Sequence, residues 1–267
     1  MKTRSGAIVI LAVSAILLAG CRGPGGGEGP APAAAVAPAK VKPGVEVLLE
    51  KRLDLVAGKK IGLITNPTGT DSRLAATVDL LRAAPGVDLV ALYGPEHGIR
   101  GNAQAGEYVP YYIDGTTGLP VFSLYGQSMK PAPGMLTDID AYMRSFDTRD
   151  EGKAPEAAMV KGIDVLVFDI QDVGTRVYTY VATMAYAMQA AAEAGLEFVV
   201  LDRPNPVGGA VTEGPVLEYP AFSSFIGLYP VPLRHGLTAG ELALMINDRF
   251  LAPKVKLTVV PMEGWTR

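Results

Sequence analysis

The polar residues of this sequence that could do chemistry gather in short clusters, each following an apolar run. In Gly94-Pro95-Glu96-His97-Gly98-Ile99-Arg100-Gly101 a carboxyl stands among glycines that let a ligand approach the backbone closely. Glu96 is the first candidate for an acid or base; the plainer alternative is a carboxylate that satisfies loop amides. Asp169 and Asp172 flank Gln171 in Asp169-Ile170-Gln171-Asp172-Val173-Gly174-Thr175-Arg176. They offer a second carboxylate, or else an acidic cluster at a helix N-terminus. Asn66-Pro67-Thr68-Gly69, Asp202-Arg203-Pro204-Asn205 and Arg234-His235-Gly236 complete the set, and Asp202-Arg203 could equally be a structural ion pair. The polar residues expected to hold a substrate are Asn66, His97, Arg100, Arg176, Arg203, Asn205, Arg234 and His235.

Composition narrows the chemistry further. One Cys excludes an intramolecular disulfide framework, and two His exclude an all-His metal centre. Two His with a carboxylate could still bind a metal, but their spacing matches no known site, and no metal is expected. With 24 basic against 27 acidic residues there is no general electrostatic basis for binding nucleic acid. No strand-to-helix turn carries G-x-G-x-x-G or a Walker lysine, so no nucleotide cofactor is expected.

Continuous apolar runs at 60–65, 87–93, 121–124, 163–168 and 197–201 read as strands buried on both faces. Helical patterns at 72–83 and 179–194, the second ending at Gly195, read as crossovers. A further helix at 239–250, with Thr238 and Glu241 in capping-box spacing, precedes a strand at 255–260. The fold expected is α/β: a Rossmann-like, doubly wound, mostly parallel sheet over 45–210, followed at 211–267 by the start of a smaller C-terminal α+β domain. Side chains just past the carboxyl ends of such strands line the ligand crevice, and the polar clusters all fall there.

The first residues read as a processing signal. Lys2 and Arg4 precede an apolar run from Ala7 to Leu18, too short for a span of roughly 20 residues. Leu18-Ala19-Gly20-Cys21 resembles the lipobox of bacterial lipoproteins, which makes 1–20 a signal peptide and Cys21 the lipidation site. The Gly/Pro/Ala-rich stretch 21–44 reads as a tether. The expected location is the bacterial cell envelope, anchored to a membrane through Cys21 and facing the periplasm.

The long motifs around Glu96, Asp169 to Arg176, Leu201 to Pro206, Glu213-Gly214-Pro215 and Arg234-His235-Gly236, in that order, resemble the DUF1343 family. That family contains the exo-β-N-acetylmuramidases of the NamZ type, glycoside hydrolase family 171. The resemblance implies a Rossmann-like domain joined to a smaller C-terminal domain with the active site between them. It also implies release of N-acetylmuramic acid from the non-reducing end of peptidoglycan fragments, with no cofactor and with Glu96 as the catalytic candidate. Asp169 or Asp172 would then attack, activate water, or orient the 2-acetamido group of the sugar, and Arg176, Arg203 or Arg234 would suit its lactyl carboxylate. Family members continue beyond a motif like Gly264-Trp265-Thr266-Arg267, so the chain looks cut off inside the second domain. The rival expectation is a non-catalytic lipoprotein that binds a muropeptide or sugar acid.

Overall fold

The structure, a computed structural model, describes residues 40–101, 111–125, 129–146 and 161–267. Among them, seven strands form one sheet in the order β3-β4-β2-β1-β5-β6-β7. In chain order the elements are α1 (Gly44–Lys51), β1 (Lys60–Thr65), α2 (Thr77–Ala83), β2 (Asp88–Gly94), β3 (Tyr112–Ile113) and β4 (Pro120–Ser123). There follow α3 (Pro133–Thr137), α4 (Ile139–Phe146), β5 (Val165–Asp169), α5 (Tyr180–Ala194), β6 (Glu197–Leu201), α6 (Ala239–Arg249) and β7 (Lys256–Val260). All neighbouring strands are parallel except β3 with β4. This is the doubly wound α/β fold expected from the apolar runs.

The runs are continuous because both faces of the sheet are covered. Leu166, Phe168, Phe198 and Val200 enter a core shared with Met184 and Met188 of α5 and Leu242 and Ile246 of α6. Their neighbours in sequence, Val165, Val167, Val199 and Leu201, face the opposite core with Val45 and Leu48 of α1 and Leu81 of α2. Alternate residues of one strand thus serve two cores, and no polar alternation survives. Helix α5 ends where Gly195 adopts φ 70°, the left-handed conformation of a helix C-cap. Helix α6 begins with the reciprocal Thr238/Glu241 capping box.

Three boundaries differ from the sequence reading. Helix α2 starts at Thr77 rather than Ser72, because the Asp71 carboxylate accepts the Arg73 and Ala75 amides, each at 2.8 Å, and Leu74 takes φ 67°. The final residues of the supposed tether are built into the fold. Lys42 exchanges backbone hydrogen bonds with Glu263, and Gly44 opens α1 and donates to the Asp202 carbonyl at 2.8 Å. A Cβ on Gly44 would lie 2.4 Å from the Asp202 nitrogen, so the contact requires glycine. Finally, α6 and β7 complete the same sheet, which therefore runs past residue 210. Cys21 and the signal segment lie outside the described residues.

Candidate active site

Strands on one side of β1 run outward as β2 and β4, and on the other as β5, β6 and β7. The order reverses between β1 and β5, where the loops leaving their carboxyl ends diverge and open a crevice. The loops after β1, β5 and β6 are tied together beneath it. Asn66 Oδ1 accepts the Thr68 amide at 2.9 Å and its hydroxyl at 2.5 Å, and Thr68 Oγ1 accepts the Gln171 amide at 3.0 Å. Gln171 Nε2 donates to the carbonyls of Asp172 and Pro204 at 2.6 and 2.7 Å. The loops approach so closely at Gly69 that a Cβ there would lie 2.7 Å from the Asp169 carbonyl oxygen.

The two aspartates, three residues apart, have different fates. Asp169 is fully buried at the end of β5 and forms a two-pronged pair with Arg203, with Nε to Oδ1 at 2.6 Å and Nη2 to Oδ2 at 2.9 Å. Thr77 also donates to it, and Arg203 reaches the Thr70 carbonyl at 2.8 Å. With its oxygens occupied by the protein, Asp169 is a structural anchor and not the catalytic carboxylate the sequence allowed. Arg203, 6% exposed, is likewise corrected from a substrate ligand to the partner that neutralises it.

Asp172 lies in the loop beyond. Its Oδ2 accepts the Gly174 amide at 2.7 Å and stands 3.2 Å from His235 Nε2, while Oδ1 has no hydrogen-bond partner. His235 is brought there by backbone bridging of Arg234 to both Thr175 and Glu213.

Glu96 follows β2 in a turn closed by the Gly98 amide donating to the Pro95 carbonyl at 2.9 Å. Its side chain is half-buried, and the next residue, His97, adopts φ 72°, a strained region for a non-glycine residue. Leu92, Tyr93 and Ile99 around this turn are core residues.

Two tyrosines missed by the sequence reading connect these groups. Burial raises the Tyr178 hydroxyl above its ordinary pKa, and the negative charges of Asp172 and Glu96 add to the rise. Burial also pushes Tyr180 up to about 12, while a hydrogen bond with Asn66 opposes the rise. Their rings meet edge to face at 4.7 Å, and the Tyr180 hydroxyl lies 3.5 Å from the Glu96 carbonyl. The tyrosine pair thus touches the Glu96 turn through Tyr180, and it follows in the chain the loop that holds Asp172 against His235. The available signal was an aromatic i, i+2 pair just past Arg176, masked by its position at the start of a helical pattern.

The remaining candidates are mostly engaged elsewhere. Arg100 pairs with Asp114 at 3.1 Å and Asp79 at 3.4 Å. Arg176 Nη1 donates to the carbonyls of Pro215 and Val231 at 2.8 and 2.7 Å. Asn205 shapes its own loop, donating to the Leu237 carbonyl and accepting the Val207 amide. Arg234 pairs with Glu213 at 2.5 Å, yet it lines an open groove of about 490 Å³ with Val173, Gly174, Thr175, Val207 and Leu233. Among the described residues, no three His, Cys, Asp or Glu side chains are arranged to hold a metal ion.

The family model described as exo-β-N-acetylmuramidase NamZ, N-terminal, matches residues 61–152 and 144–267. The chain is 51% identical over 228 residues to the peptidoglycan β-N-acetylmuramidase NamZ of Bacillus subtilis (strain 168), covering 85% of this chain and 49% of that protein. A crystal structure of a DUF1343 family protein from Bacteroides fragilis NCTC 9343 is similar at 48% identity and a TM-score of 0.70, over 85% of this chain and 51% of that one. A second from the same organism is similar at 34% identity and a TM-score of 0.64, over 85% and 53%. The chain spans about half the length of these relatives. Matched by the model from Ile61 to its last residue and half identical to a curated member, it belongs to the NamZ family of DUF1343 proteins.

Proposed function

We propose that this chain carries the catalytic residues of an exo-acting glycosidase that releases N-acetylmuramic acid from the non-reducing end of peptidoglycan fragments. The observation that carries the reading is the meeting of the loops that carry Glu96 and Asp172: the Tyr180 hydroxyl, on the segment that follows Asp172, donates to the Glu96 carbonyl at 3.5 Å, beside the point where the strand order reverses. Glycoside hydrolysis needs an acid to protonate the leaving oxygen and a second group on the sugar's other face. Glu96, half-buried on a glycine-rich turn, takes the first role. Asp172 takes the second, as nucleophile, as base for water, or as the group that orients the 2-acetamido substituent. Arg234, facing the open groove, suits the lactyl carboxylate that distinguishes muramic acid from other amino sugars.

The test is hydrolysis of a chromogenic β-N-acetylmuramide by the full protein, with and without chelator. Release that survives chelation is expected. Binding without release would favour a muropeptide-binding protein, and loss with chelator would favour a metal hydrolase.

The lipobox-like Leu18-Ala19-Gly20-Cys21 supports a second part of the proposal, that the protein is exported and held at the cell-envelope membrane by acylation of Cys21. Cys21→Ser removes the thiol that accepts the lipid. The variant is expected to shift from the membrane to the soluble fraction with its hydrolytic activity retained; a variant that stays with the membrane like its parent contradicts the anchor.

A further inference from the structure

Asp172 and His235 are both buried, 5% and 3% exposed, and reach each other from separate loops, one after β5 and one before α6. The Leu237 amide donates to His235 Nδ1 at 3.2 Å, so that nitrogen presents a lone pair, and a neutral ring carries its hydrogen on Nε2. Nε2 faces Asp172 Oδ2 at 3.2 Å, off the line of a well-aligned hydrogen bond; it and Oδ1 are buried polar atoms without hydrogen-bond partners. Leaving a buried donor unpaired beside a carboxylate is unfavourable, and a small turn of the ring closes the contact. Hydrogen bonds of this kind are often loose in an empty site and tighten with substrate.

We propose that His235 is a positioning residue for Asp172. It engages Oδ2 from the protein side, together with the Gly174 amide, and so sets the orientation in which the loop after β5 holds the carboxylate; Oδ1, as buried as Nε2, takes no part in the pairing. A side chain only 1% exposed does not itself contact substrate, which changes the role expected of His235 from its sequence motif. The proposal rests on Asp172 being the second carboxylate of the muramidase reading.

Two substitutions at one position separate positioning from general structure. The amide nitrogen of Gln can occupy the place of Nε2 and donate to Asp172, whereas that of Asn reaches only the place of Nδ1. His235→Asn is expected to lower kcat on an N-acetylmuramyl substrate by about 10²-fold, within the range of acid–base contributions. KM should change by less than about threefold, since ground-state binding is untouched, and His235→Gln should recover most of the rate. Equal impairment of the two variants, or a loss carried by KM, overturns the proposal. A second measurement does not depend on activity: the ¹⁵N resonances of the His235 ring report its tautomer. An Nε2–H form whose resonance moves in Asp172→Asn supports the pairing, and an Nδ1–H form, or an Nε2 indifferent to Asp172, overturns it. A protein that is well folded but inactive on muramides would remove the muramidase reading while leaving the tautomer result to decide the pair.

Discussion

Replacing Glu96 with Gln is expected to lower turnover of a natural disaccharide by about 10²–10⁴-fold, the usual contribution of a general acid. The amide keeps the shape of the side chain and part of its hydrogen bonding, so the glycine-rich turn should fold as before. What it cannot do is supply the proton that a departing sugar alkoxide needs. A nitrophenyl leaving group needs little protonation and should lose much less. Rate and Michaelis constants measured on both substrates decide the matter. A similar rise in KM for the two, with maximal rates preserved, would make Glu96 a substrate clamp instead.

Arg203→Ala is expected to cost about 3–5 kcal/mol of folding stability, the penalty for leaving one member of a buried ion pair without its partner. Asp169 is fully buried and Arg203 nearly so, and their double contact is the joint between the loops after β5 and β6. Arg203→Lys should recover only part of the loss, because an ammonium cannot span both carboxylate oxygens and also reach the Thr70 carbonyl. Urea unfolding of the three proteins tests this, and a cost below about 1 kcal/mol, the usual value of an exposed pair, would mean that the pair is dispensable. By the same argument, Asp169→Asn should lower stability more than it lowers the rate of the protein that remains folded.

The sequence revealed the strands well because burial on both faces leaves an uninterrupted apolar run, as in Leu166 to Phe168. It also placed the polar clusters just past the carboxyl ends of the strands, where the structure has the loops after β1, β2, β5 and β6. It did not separate Asp169 from Asp172: both are acidic and close together, and only the partner, Arg203 for one and His235 for the other, sets their environments apart. The short helices α1 and α3 escaped notice because eight and five residues show too little periodicity. The start of α2 was misplaced because Ala75 and Leu74 look helical, while the controlling group is the Asp71 carboxylate just before them. Tyr178 was hidden for a related reason, since an aromatic residue near a helix start ordinarily reads as packing.

The central position of β1 also governs the order in which the molecule can assemble. One neighbour, β2, follows within a short stretch of chain, but Thr65 pairs with Asp169, 104 residues later. Pairing on that side therefore waits for a loop of 104 residues to close, an interval that pairing with β2 does not share. Throughout that interval an apolar strand lies with one side unpaired, the kind of edge that recruits wrong strands. Such non-local pairing is slow, and closing the Lys42–Glu263 bridge has to wait for nearly the whole chain. The half-sheet built outward from β1 through β2 and β4 is therefore open to wrong pairing at β1, and the docking of β5 passes that open edge on to β6 and then β7.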